Sequence, residues 1–268
     1  MLKDVTIGQY YAADSFLHRL DPRTKIIGLI LYMVGLFMIQ DLRDYLYVAA
    51  FTAVIILLSG VPFKILIKGI KSLWVLLVFT LVLNFFMYPE GRVLWEWKFL
   101  KLTEESLQKG IFMAVRLVLL LNVTSLLTLT TTPILLTDGL ERIMKACRIP
   151  MAHELAMMMT IALRFIPTLI EETDKIMKAQ IARGADFESG NLLKRAKGLI
   201  PLLIPLFLSA FRRADELAMA MEARCYRGGQ GRTRLKELKY RPADLLAFTA
   251  SMAFLALSIA DRFWIKSF

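Results

Sequence analysis

LVLLLNVTSLLTLTTTPILLT, residues 117–137, is a run of 21 residues without one charge. A helix rises about 1.5 Å per residue, so roughly 20 apolar residues cross the hydrocarbon core of a bilayer. Four more charge-free runs surround it: Ile26–Gln40 with 15 residues, Tyr45–Phe63 with 19, Ser72–Pro89 with 18 and Leu245–Ala260 with 16. The short first and last runs must recruit their flanks, Lys25 and Arg262 reaching out to the interface. So many such runs in one chain argue against buried core helices of a soluble protein. The expected fold class is all-α, a polytopic membrane protein with about five transmembrane helices and a pair of long amphipathic helices outside the bilayer.

Composition agrees. Of 268 residues, 57% are hydrophobic and 21% charged, which excludes a disordered or collagenous chain. Two cysteines cannot staple a fold. Met1 to Pro22 carries Asp4, Asp14, Arg19 and Asp21 and holds no apolar stretch of signal-peptide length, so a surface-lying segment is expected there. The balance of 34 Lys and Arg against 23 Asp and Glu, net +11, requires the charge to be segregated from the apolar mass.

Lys and Arg near the span ends set orientation. Lys3, Arg19, Arg23 and Lys25 precede the first run, while the first connection has only Arg43. Lys64, Lys68 and Lys71 fill the second connection; in the third, acids balance the bases beside Trp95 and Trp97. The segment from Pro133 to Arg241 holds 19 Lys and Arg against 12 Asp and Glu. The pattern predicts a cytoplasmic N-terminus and an extracellular C-terminus. It divides the chain into a four-span membrane bundle (1–132), a cytosolic or interfacial module (133–241) and a last transmembrane helix (242–268).

Within that module, Leu155–Leu163 and Leu199–Phe211 are apolar runs read as too short to cross, each leading into a charged helical stretch. One stretch, ending at Arg183, shows an apolar face of Ile166, Leu169, Ile170, Thr173, Ile176, Met177 and Gln180. The other, ending near Arg224, shows Phe211, Ala214, Leu217, Ala218, Met221 and Cys225, with Arg213 elsewhere. The stretches match at a spacing of 41: Asp174 with Asp215, Ala179 with Ala220, and Ala182-Arg183 with Ala223-Arg224. Ile166-Pro167 and Ile204-Pro205 are read as preceding the two helices, and Gly184 and Gly228-Gly229 as following them. A repeat of this kind suggests two equivalent contacts. A guanidinium at such an end can bind a carboxylate bidentately, or can simply cap its own helix or meet lipid phosphate.

Ala182-Arg183-Gly184 and Glu222-Ala223-Arg224-Cys225-Tyr226-Arg227-Gly228 resemble the paired Ala-Arg-Gly signatures of the T component of energy-coupling factor (ECF) transporters. The resemblance extends to Leu20-Asp21-Pro22-Arg23-Thr24-Lys25, Leu163-Arg164-Phe165-Ile166-Pro167 and Gly228-Gly229-Gln230-Gly231-Arg232-Thr233. Cys225 departs from it, standing where the family usually has Gly. The resemblance implies a non-catalytic coupler between two cytosolic ATPase subunits and a membrane-embedded substrate-binding S component, for uptake of a vitamin or transition-metal ion. It further implies that Ala182, Arg183, Gly184, Ala223, Arg224 and Cys225 dock the ATPases, which carry the ATP and Mg²⁺, and that this chain holds no cofactor.

No Gly-x-x-x-x-Gly-Lys-[Ser/Thr] loop occurs, so ATP energy must come from other subunits. Met157, Met158 and Met159 form a soft apolar patch suited to a variable partner or to plain packing, and Arg164 either pairs with an acid such as Glu171 or joins that docking face. Arg116 is expected to snorkel at the outer end of its span. Glu104-Glu105 and Glu171-Glu172 read as helix-start pairs. Cys147 and Cys225 are expected to be free thiols, and His18 and His153 make no zinc spacing. The basic charge lies on amphipathic helices without interleaved aromatics, which disfavours nucleic acid as a partner. The rival reading is a conventional ABC permease that binds substrate itself; a membrane-embedded enzyme lacks convergent polar groups.

Overall fold

The computed structural model describes residues 10–39, 44–87, 93–97, 100–185, 198–229 and 238–266. It divides into two compact units, Gly8–Gly139 with Glu237–Phe268, and Met1–Ile7 with Leu140–Lys236.

The first unit is a helical bundle. Its elements are α1 (Phe16–Arg19), α2 (Pro22–Met38), α3 (Tyr45–Ser59), α4 (Phe63–Ser72), α5 (Trp74–Met87), α6 (Glu104–Thr130), the start of α7 (Pro133–Ala146) and α10 (Pro242–Lys266). Strands β1 (Val93–Trp97) and β2 (Leu100–Thr103) form one antiparallel hairpin, which the sequence reading missed. Its signal was the β-favouring Val-Leu-Trp-Glu-Trp run at 93–97.

The core of this unit joins α2, α3, α6 and α10 through Tyr32, Leu36, Tyr45, Val48, Leu119, Val123 and Phe254. The Phe254, Phe51 and Tyr32 rings form a three-way cluster, with centroids at 4.7 Å (Phe51–Phe254), 5.3 Å (Tyr32–Phe254) and 6.3 Å (Tyr32–Phe51) and planes within 18°. Such offset stacks add about 0.5–1.5 kcal/mol per pair beyond burial. Gly35 permits the approach: a Cβ there would stand 2.7 Å from Phe254 Cε1. Small residues bring helices close where lipid offers no hydrophobic drive.

The run 117–137 is not one helix. Helix α6 starts 13 residues earlier, at Glu104, where Thr103 and Ser106 form a capping box and Glu104 and Glu105 occupy the first turn. It stops at Thr130 because Pro133 opens α7, and a residue preceding Pro is pushed out of the helical region. Thr132 Oγ1 then accepts from Leu135 N at 3.4 Å. Arg116, now inside α6, does not snorkel. Its Nε donates to Tyr45 Oη at 3.0 Å and its Nη2 to the Ile39 carbonyl at 2.8 Å, closing the open end of α2.

Among the described residues α6, α8 (Ala152–Ala182) and the Pro242–Phe263 part of α10 are long and apolar enough to cross a membrane. Helices α4 and α5, bent by 56°, would make a fourth crossing as one broken span. Helix α3, with 15 residues, is apolar but short. The expected polytopic all-α class is present, with the crossings distributed differently from the about five expected. The sequence reading treated Leu155–Leu163 as a separate short run, whereas α8 continues through Pro167 for 31 residues.

The second unit is built on α8 and α9 (Ile200–Ala223), which pack together. Neither Ile-Pro pair precedes its helix: Pro167 and Pro205 lie inside α8 and α9. A helical proline removes one donor, and Pro205 leaves the Pro201 carbonyl without its intrahelical partner. Gln180 Nε2 from α8 donates to that carbonyl at 3.4 Å.

Candidate functional site

The two signatures are two copies of one helix stop. At the end of α8, Gly184 N donates to the Ile181 carbonyl and Ala185 N to the Gln180 carbonyl, each at 2.9 Å. At the end of α9, Cys225 N donates to the Glu222 carbonyl at 2.9 Å and Tyr226 N to the Met221 carbonyl at 3.0 Å. Both are Schellman closures, whose first residue past the cap must be left-handed. Gly184 has φ +84° there and Cys225 φ +52°. Cys225 therefore keeps the geometry of the signature while accepting a conformation that glycine adopts freely.

The closure places Arg183 and Arg224 in the same role, as C-cap residues. Both are exposed, and among the described residues neither guanidinium has a hydrogen-bond or ion-pair partner. Their backbones end the helices while their side chains remain available. Ala182, Gly184, Ala223 and Cys225 are exposed with them.

Helices α8 and α9 pass in opposite directions, since Glu172 meets Arg213 while Gln180 meets Pro201. Glu172 Oε2 accepts from Arg213 Nη2 at 2.8 Å and Nε at 3.2 Å, and Ser209 Oγ donates to its other oxygen. One expectation fails here: Glu171-Glu172 sits in mid-helix and does not start a helix. Arg213, off the apolar face as expected, points to α8 through this ion pair. Phe207, Leu208 and Phe211 are left exposed at 62–67%. On α8 the expected face is half-buried except for Ile166 at 38% exposed.

Met158 is 53% exposed, with Met157 and Met159 half-buried beside it. Arg164 is exposed and among the described residues makes no ion pair with Glu171 or another acid. Cys147 and Cys225 are free and exposed. Of the glycine-rich turn, Gly228 and Gly229 are described, and Gln230 to Thr233 lie outside the described residues.

An all-α bundle with several bilayer-length apolar helices, joined to a pair of helices with matched cationic ends, defines an integral membrane protein built to meet other subunits. The family model for cobalt transport proteins (CbiQ) matches residues 13–235. The energy-coupling factor transporter transmembrane protein EcfT of Clostridium kluyveri is 56% identical over 268 residues, covering 98% of this chain and 99% of that one. EcfT of Thermosediminibacter oceani is 56% identical over 265 residues, 98% of this chain and 99% of its own, and EcfT of Bacillus subtilis strain 168 is 46% identical over 260 residues, 96% and 98%. The chain belongs to the CbiQ family, as an EcfT-type transmembrane component of an energy-coupling factor transporter.

Proposed function

We propose that this subunit couples two cytosolic ATPases to a separate substrate-binding membrane protein. The observation that supports it most is the pair of exposed arginines, without a side-chain partner among the described residues, each presented by the same Schellman closure. An arginine fork held at a rigid helix end suits an acid-lined groove, and two copies on opposite arms suit two copies of one motor. ATP and Mg²⁺ belong to the ATPases; their closure moves α8 and α9, and the S component tilts in response. This chain supplies no catalytic group of its own.

Met157, Met158, Met159 and Arg164 are the face offered to the S component. Methionines adapt to partners of different shape. The cargo, a vitamin or transition-metal ion, is held by that partner. The N-terminus lies in the cytoplasm and the C-terminus outside, by the distribution of Lys and Arg.

Purification in mild detergent tests this. Two ATPase subunits and a small membrane protein are expected to co-elute in stoichiometric amounts. A chain that elutes by itself and binds substrate would instead be a conventional permease.

A further inference from the structure

The element Leu20-Asp21-Pro22-Arg23-Thr24-Lys25 lies outside the two arginine signatures, yet it gathers bonds from across the bundle. Asp21 caps α2, accepting from Arg23 N at 2.9 Å. Arg23 folds back onto the same carboxylate, with Nε to Oδ1 at 3.0 Å and Nη2 to Oδ2 at 2.8 Å. Its Nη2 also donates to the Leu238 carbonyl at 3.3 Å, and its guanidinium carbon stands 3.9 Å over the Tyr240 ring. Asp21 N donates to Asp244 Oδ1 at 2.7 Å, while Asp244 Oδ2 accepts from Arg241 N at 2.7 Å. One buried carboxylate thus closes the start of α10 and joins it to the cap of α2. Lys25 Nζ donates to the Thr130 carbonyl at 3.0 Å and Thr131 Oγ1 at 3.1 Å, where α6 gives way to α7. On α7, a Cβ at Gly139 would stand 2.9 Å from Pro22 Cβ.

Capping α2 needs Asp21 only. The remaining bonds reach residues 105 to 223 positions away, and their destinations have a pattern. Gly139 is the last bundle residue before the α8–α9 unit begins at Leu140, and Leu238 is the second after that unit ends at Lys236. Both covalent ends of the insert are gripped by one three-residue turn. The grip is enclosed, with side-chain exposures of 2% for Asp21 and 13% for Arg23, and a desolvated pair does not trade partners readily.

We infer that Asp21-Pro22-Arg23 is the anchor through which displacement of α8 and α9 is delivered to the membrane bundle. Force on residues 140–236 arrives at the bundle at two points in the chain, and both are tied to the N-cap of α2. Arg23 and Pro22 are positioning residues, and this role rests on the coupling reading above.

Hydrogen exchange of the complex with its ATPases, with and without ATP plus vanadate, tests it. In the unmodified complex a nucleotide-dependent difference is expected in peptides of 140–229, of α2 and of the start of α10. In Arg23→Gln the difference should persist in 140–229 and be lost from α2 and α10. Tyr240→Leu, which keeps the Asp21–Arg23 pair, should weaken the transfer and carries the test if Arg23→Gln fails to assemble. A purely structural turn would exchange faster in both nucleotide states while the difference still reached α2, and that result overturns the anchor. No difference anywhere in 140–229 would sink the coupling reading, and the anchor with it.

Discussion

Glu172 and Arg213, bonded at 2.8 Å, are 41 positions apart in the chain, the same spacing as Arg183 and Arg224. The ion pair where α8 meets α9 therefore joins equivalent positions of the internal repeat. From it each helix runs 11 residues to its terminal arginine, about 16 Å of rise on each arm. Because the helices are antiparallel, the two arginines project to opposite sides of the contact.

The pair should be detectable by charge exchange. Glu172→Arg should loosen α8 from α9, and adding Arg213→Glu should recover most of the loss. Arg213 is 37% exposed, so solvent screening limits the coupling energy to about 1 kcal/mol. A double-mutant cycle on thermal unfolding in detergent measures it; additive losses would contradict the contact.

Cys225→Gly should raise stability by about 1 kcal/mol, because glycine takes the left-handed position without a Cβ penalty. Gly184→Ala should lower it by a similar amount, although no atom lies within 4 Å of the new methyl position. Paired melting curves decide this, and equal shifts of one sign would refute the closure.

At the core of the bundle, Phe254→Ala removes one ring of the three-ring cluster with Phe51 and Tyr32 and should cost about 3–5 kcal/mol. Gly35→Leu should cost more than Gly35→Ala, since its extra atoms must also pass the Phe254 ring. Chemical unfolding in detergent gives both values, and a neutral Gly35→Leu would show that α2 and α10 are not in close contact.

Arg116→Leu should cost about 1–3 kcal/mol by stranding the Ile39 carbonyl and the Tyr45 hydroxyl, and Tyr45→Phe less. A lipid-facing arginine would instead tolerate Leu well. Denaturant midpoints of the two variants separate these outcomes.

The polytopic helical class was legible because several charge-free runs of bilayer length rarely share one chain outside membrane proteins. Helix limits were less so. Charge counting could not see that Lys109 and Arg116 stay inside α6, or that Thr132-Pro133 cuts an apolar run in two. The terminal arginines were readable from local chemistry, as the matched Ala182-Arg183 and Ala223-Arg224 pairs followed by Gly184 and by the small Cys225. The partner of Glu172 was not, because a half-exposed arginine on α9 gives no local sign of which neighbour it will choose. The Asp21 turn was visible as a motif, but its ties to Leu238 and Gly139 depend on contacts more than a hundred residues distant.

The most direct test replaces both Arg183 and Arg224 by Glu and asks whether the ATPase subunits still co-purify from mild detergent. Loss of both ATPases from a chain that still inserts and melts normally is expected, with single replacements milder because two contacts share the interface. Stoichiometric retention of both ATPases by the double variant would contradict the account.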